Sequence, residues 1–72
     1  MVARDTIIET VATFLRRRPD GATMAEIQEA VIEKHPLALN HSVKAAVVHN
    51  TGPGRLFRRE GKPRRHRYFL DR

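Results

Sequence analysis

The sequence contains no cysteine and no long apolar run. Without cysteine, neither a disulfide bond nor a zinc site with thiolate ligands can supplement the core of a 72-residue chain. No apolar stretch approaches the roughly 20 residues of a membrane-spanning helix, and the first residues lack the basic-then-apolar order of a signal peptide. The absence of disulfide chemistry is typical of intracellular proteins. We therefore expect a small, soluble, cytoplasmic domain without a membrane partner.

The residue combinations of common active sites are also missing. Ser42 follows His41, but adjacent helical residues point in different directions and no nucleophile elbow surrounds them. The turn Gly52-Pro53-Gly54 lacks the Lys-Ser/Thr pair of a phosphate-binding loop. No His-x-x-x-His pair occurs among the four histidines, His35, His41, His49 and His66. We expect no enzyme activity, no metal site and no cofactor.

Positive charge is concentrated in the last quarter of the chain, which has a formal net charge of +6. Up to residue 54, six basic residues balance six acidic ones, whereas residues 55–72 contain eight basic residues against Glu60 and Asp71. Such asymmetry indicates a polyanionic partner, with nucleic acid favoured over an anionic membrane or a heparin-like polymer. A merely solubilising charged end is the alternative interpretation.

Two amphipathic helices are predicted in the first half of the chain. The first covers residues 4–18 approximately, with a cap at Asp5 or Thr6, and Pro19 ends it. The second covers about 23–34 and begins with the capping box Thr23-x-x-Glu26. Its outer face is acidic and therefore unsuited to DNA, since it carries Glu26, Glu29 and Glu33.

A third helix, over about 41–50, has a different outer face. At 100° per residue, one side of this helix consists of Val43, Ala46, Val47 and Asn50. The opposite side contains no acid and consists of His41, Ala45 and Val48, flanked by Ser42, Lys44 and His49. This helix is therefore the better candidate for entering a DNA groove, with a simply solvated face as the alternative.

The last segment, about 55–70, is predicted to be a β-hairpin. The runs "GRLFRR" and "RHRYFL" contain β-forming aromatics and are joined by "EGKP". Because side chains alternate between the two faces of a strand, arginines can face solvent while aromatics face the core. Either Phe57 and Tyr68 or Leu56 and Phe69 face inward, depending on the register. The predicted fold class is α+β, with three helices followed by a hairpin.

This order of elements resembles a small winged helix-turn-helix. The segments "GATMAEIQEAV", "HSVKAAVVHN" and "RLFRREGKPRRHRYFL" resemble the HARE-HTH type, winged helices attached to restriction endonucleases and some chromatin proteins. The resemblance covers almost the full chain and implies a single winged-helix domain over residues 1–72. The globular domain of linker histones is a more distant resemblance. The turn 61–65 is longer and more cationic than the Gly-Arg-Gly tip common in the HARE-HTH type, which favours DNA over protein docking.

The resemblance implies that the third helix lies in the major groove of duplex DNA and that the wing contacts phosphates or the minor groove. The implied recognition-helix residues are His41, Ser42, Lys44, Ala45, Val48 and His49. The implied wing residues are Arg58, Arg59, Lys62, Arg64, Arg65 and Arg67. If about five phosphates are neutralised, log K should fall with log salt with a slope near −4.5.

The expected role is that of a transcriptional regulator, a nucleoid-associated protein, or the DNA-reading module of a larger nuclease-type protein in restriction-modification. One such module buries only roughly 600–1,000 Å² on DNA, so tight specific binding requires a homodimer or a tethered second domain. The alternative function is a winged helix that binds proteins, for example RNA polymerase or a second copy. RNA is a less favoured ligand.

Overall fold

The structure is a computed structural model, and it describes residues 2–71. In chain order it contains three helices and two strands. The helices are α1 (Arg4–Arg16), α2 (Met24–Lys34) and α3 (Asn40–His49), and the strands are β1 (Phe57–Glu60) and β2 (Arg67–Leu70). The predicted α+β class is confirmed, and the layout of three helices before an antiparallel hairpin matches a winged helix. Among the described residues, no helix combines the length and apolarity needed to cross a membrane.

The start of α2 follows the sequence prediction closely. The Thr23 hydroxyl accepts a hydrogen bond from the Glu26 backbone N–H at 3.2 Å, and the Glu26 carboxylate accepts one from the Thr23 N–H at 2.9 Å. The bond from the Thr23 N–H is the main reason why the pKa of the Glu26 carboxyl lies below its ordinary value. The ionised Glu26 carboxylate therefore stabilises the folded protein fully at a pH above its pKa in the unfolded chain. This stabilisation is lost as the pH falls through the lower pKa of the folded protein.

The predicted cap of α1, at Asp5 or Thr6, is wrong. Helix α1 begins at Arg4 with Ala3 in the N-cap position, so Asp5 lies inside the first turn, where its charge complements the helix dipole. Helix α3 begins at Asn40 with Leu39 in the N-cap position. Neither N-cap side chain accepts a hydrogen bond.

The register of the hairpin determines which aromatics face the core. Phe57 lies opposite Leu70 and Arg59 lies opposite Tyr68, so these four side chains share one face. Phe57 is 0% exposed and Tyr68 is 5% exposed, and both belong to the cluster that the three helices bury. The first of the two alternative pairs is therefore the inward one. Phe69 lies on the outer face, opposite Arg58.

Both edges of the hairpin are attached to the helical body. On the β2 side, Ala22 exchanges two backbone hydrogen bonds with Tyr68, at 3.0 and 2.7 Å. On the β1 side, Phe57 donates to the Asn50 carbonyl at 2.9 Å and accepts from the Gly52 N–H at 3.0 Å. The wing is therefore held in a fixed position next to the C-terminus of α3.

A close approach makes glycine necessary in the turn between α1 and α2. Gly21 has φ +76°, and a Cβ at this position would lie 2.8 Å from the Phe69 ring and 2.9 Å from the Tyr68 carbonyl oxygen. Both the backbone conformation and the lack of space exclude a larger residue. The contact allows the 20–22 turn to lie directly against β2.

Candidate nucleic-acid interface

The predicted recognition face of α3 is accessible. His41, Lys44, Val48 and His49 are exposed, while Ser42 and Ala45 are half-buried. The opposite side consists of Val43, Ala46 and Val47, which are fully buried. Periodicity therefore predicted correctly which side of α3 packs on the core. Val48 is a large apolar side chain with 42% of its surface exposed.

The C-terminus of α3 is joined to the wing by an arginine that the sequence reasoning did not single out. The Arg55 guanidinium donates to the carbonyl of His49, a helix-terminal carbonyl that has no partner within the helix. Thr51 and Asn50 donate to the Val47 and Ala46 carbonyls at 2.6 and 2.8 Å. A basic residue just after a helix is the sequence signal that indicates such a cap. Arg55 helps to fix the position of α3 relative to β1.

Two of the six predicted wing cations already have partners within the protein. Arg58 donates to the Glu60 carboxylate and to Asp71 at 3.4 Å, and its guanidinium lies 4.7 Å from the centre of the Phe69 ring. The hydrogen bond to Glu60 raises the pKa of Arg58 above its already high ordinary value. Much of the hydrogen-bonding capacity of Arg58 is therefore used on the outer face of the hairpin.

Arg67 also makes contacts within the protein. Its guanidinium donates to the carbonyls of Asp20 and Gly21, at 3.0 and 3.2 Å, and lies 4.0 Å from the Glu26 carboxylate. These bonds connect β2 to the turn between α1 and α2. Arg67 thus holds the wing against the helical body.

The other four wing cations make no side-chain hydrogen bond or ion pair with any residue in the described range, 2–71. They are Arg59, Lys62, Arg64 and Arg65, and all are exposed. The last three lie in the wing tip, residues 61–66, which is folded into a tight turn by a hydrogen bond from the Arg65 N–H to the Lys62 carbonyl at 2.9 Å. Gly61 has φ +106°, and Arg64 has φ +71°. The tip therefore holds its cations on an ordered turn.

A groove of about 470 Å³ lies between α3 and the wing. Residues lining this α3–wing groove include Val48, Pro53, Arg58, Arg59, Tyr68 and Asp71. Val48 belongs to the predicted recognition face and Arg59 to the predicted wing set. The two predicted surfaces are therefore neighbours, joined by one groove.

The acidic face of α2 lies elsewhere. Glu26, Glu29 and Glu33 line a second groove, together with Phe14 and Arg18 of α1 and the following turn. The Arg18 guanidinium stacks on the Phe14 ring at 4.9 Å. The two grooves have no lining residue in common. An anionic ligand on the α3–wing groove therefore does not directly face these carboxylates.

Over residues 2–71, no group of three or more histidine, cysteine, aspartate or glutamate side chains is arranged to hold a metal ion. No family model, no curated protein and no solved structure matches the chain. The resemblance to the HARE-HTH type stays a prediction based on short segments of sequence.

Proposed function

We propose that the protein binds double-stranded DNA as a winged helix of the HARE-HTH type, with α3 in the major groove and the wing on phosphates or the minor groove. The observation that carries this proposal is the α3–wing groove, where Val48 of the acid-free helix face and the unpaired Arg59 meet. A duplex lying across this groove would contact both surfaces at once. The proposed role is that of a transcriptional regulator, a nucleoid-associated protein or the DNA-reading module of a nuclease-type protein.

The side chains of four of the six wing cations have no partner within the described residues, and this supports phosphate binding. Arg59, Lys62, Arg64 and Arg65 have no internal ion pair to break when an anion arrives. The planar guanidinium fork of arginine pairs with a phosphate in two places and enters narrow minor grooves readily. Arg58 and Arg67 instead hold the hairpin in place, and their proposed contribution to DNA binding is to position the other four.

The face of α3 supports readout of base edges. In helix-turn-helix proteins the first turns of the recognition helix reach the bases. There, His41, Ser42 and Lys44 can donate to guanine N7 or O6, and Ala45 and Val48 can contact a thymine methyl group. His49, near the end of the helix, is suited to the flanking phosphate backbone.

The dependence of affinity on salt tests this proposal. Five cations on the proposed surface lack internal partners in the described part of the chain, namely Lys44, Arg59, Lys62, Arg64 and Arg65. If each neutralises one phosphate, log K falls with log salt with a slope near −4.5 for duplex DNA. We expect this slope from fluorescence anisotropy with a random-sequence duplex between about 50 and 200 mM salt.

Single-stranded DNA and RNA serve as competitors in the same measurement. Duplex DNA is expected to be the preferred ligand, because α3 needs a major groove of about 12 Å width, which A-form RNA and single strands do not offer. Undetectable duplex binding at the lowest salt, or equal competition by single-stranded DNA, would exclude the proposed mode.

A second candidate function, protein binding, is supported by an apolar surface at the start of α3, which borders the proposed recognition face at Ser42. Leu37 and Leu39, between α2 and α3, are 75% and 56% exposed. They line an apolar groove of about 340 Å³ with Val2, Ile7 and Ala38. Exposed apolar patches often bind other proteins. The partner in such a contact would be a second copy or a tethered domain.

A further inference from the structure

We propose that the α3–wing groove is the binding site for one backbone phosphate of DNA, held by the Tyr68 hydroxyl together with the Arg59 guanidinium. This inference rests on the proposed function and adds to it a residue, Tyr68, that the sequence offered only as a member of one of two alternative inward pairs. It also assigns the groove a single occupant, a phosphodiester of the strand that passes from α3 to the wing.

The Tyr68 hydroxyl is a donor without an internal partner. The side chain is 5% exposed and lines the groove, yet its oxygen makes no hydrogen bond within residues 2–71. No unpaired side-chain oxygen or nitrogen is fully buried in that range, so this oxygen is accessible to solvent, and Tyr68 is among the residues that line the groove. A tyrosine hydroxyl at the end of a buried ring usually has a hydrogen-bond partner.

Arg59 supplies a positive charge on the same groove. It lies directly opposite Tyr68 in the register of the hairpin, so both side chains emerge from the same face. Its guanidinium has no acidic partner among the described residues. A hydroxyl donor and a free guanidinium on neighbouring strands can bind an anion together. The arginine supplies the positive charge, and the tyrosine hydroxyl donates a hydrogen bond with a defined direction.

The other charged residues that line the groove make no ion pair with Arg59. Arg58 and Asp71 both line the groove, and they pair with each other at 3.4 Å. The ion-pair partner of Asp71 is therefore Arg58 and not Arg59. The remaining lining includes Val48 and Pro53, whose apolar surfaces are suited to the deoxyribose next to a phosphate. This charge complementarity favours an anionic nucleic-acid backbone as the occupant.

The variant Tyr68→Phe tests the inference, because it removes one oxygen and keeps the buried ring. A hydrogen bond to a charged group contributes enough for an expected loss of about tenfold in duplex affinity. Since no charge is removed, the slope of log K against log salt should not change. Arg59→Gln should instead lower the magnitude of that slope by about 0.9. Thr13→Val, which removes a half-buried hydroxyl from α1, is the matched control and should bind as the wild type does.

The same site can be observed directly, because Tyr68 is the sole tyrosine and the sequence has no tryptophan. Its ring signals in NMR spectra therefore report on the α3–wing groove without ambiguity. We expect them to shift when a random-sequence duplex is added, and to shift less with the same concentration of inorganic phosphate, which lacks the neighbouring contacts. Far-UV circular dichroism establishes that each variant is folded before binding is measured.

Failure of the inference can be distinguished from failure of the proposed function. If the wild type binds duplex DNA with the expected salt slope, but Tyr68→Phe binds equally well, the phosphate site is wrong while DNA binding stands. If the wild type does not bind duplex DNA, both are wrong. Unchanged Tyr68 ring signals at saturating duplex would also overturn the phosphate site. So would Tyr68 ring signals that shift on addition of an acidic peptide but not on addition of DNA.

Discussion

Replacing Arg59, Lys62, Arg64 and Arg65 together by glutamine is expected to remove most of the salt-dependent affinity for duplex DNA. These are four of the five unpaired cations on the proposed surface, so the slope of log K against log salt should change from about −4.5 to about −0.9. Between 50 and 200 mM salt the wild-type affinity should then fall about 500-fold, whereas that of the variant falls only about 3.5-fold. Fluorescence anisotropy at several salt concentrations measures both slopes.

A control variant distinguishes the effect of the wing cations on DNA affinity from the effect of net charge alone. Replacing Arg4, Arg16, Arg17 and Lys34 by glutamine also removes four positive charges, from exposed positions on α1, its C-terminal end and α2. These side chains make no ion pair within the described range and lie outside the α3–wing groove. We expect this variant to keep a slope near the wild-type value. Equal loss of the slope in both variants would show that total charge, and not the wing, produces the affinity.

Phe57→Ala is expected to unfold most of the protein at room temperature. Phe57 is the largest fully buried side chain among the described residues, and its backbone joins β1 to the 50–52 segment. Truncating a buried phenylalanine costs about 3–5 kcal/mol, while the core of a domain this small rarely supplies more than about 3–5 kcal/mol of net stability. Urea denaturation followed by circular dichroism should show a loss of the cooperative transition.

Leu37→Ala is the matched truncation on the surface. Leu37 is 75% exposed, so the change should alter the free energy of unfolding by no more than about 0.5 kcal/mol. A Phe57→Ala protein as stable as the wild type would mean that the hairpin is not held by the core. The wing would then lack the fixed position that the proposed DNA-binding mode needs.

The parts of the fold that local patterns determine were predictable from the sequence. Three helices, the Thr23–Glu26 capping box and the buried side of α3 all follow from spacings of three or four residues, which is the range over which a helix repeats. Helix α1 ends at Arg16, earlier than the expected residue 18, because the 17–18 segment already forms the turn before Pro19. The inward aromatic pair was not predictable, since it depends on register and on the bridge between Ala22 and Tyr68.

The candidate site was predictable as a surface but not as a set of contacts. The location of the basic cluster follows from composition, whereas Arg67 binds carbonyls 46 and 47 residues earlier in the chain, beyond any local pattern. The pair between Arg58 and Glu60 did have a local signal, because residues two apart on a strand face the same way. The free hydroxyl of Tyr68 had none, as it depends on what surrounds the ring after folding.

An NMR titration of the uniformly labelled protein with random-sequence duplex DNA, at two salt concentrations, tests the proposed binding mode most directly. We expect backbone and side-chain shifts confined to residues 41–53 and 58–68, with saturation requiring more DNA at the higher salt concentration. Shifts centred on the acidic face of α2, at Glu26, Glu29 and Glu33, or no shifts at the lower salt concentration, would contradict it.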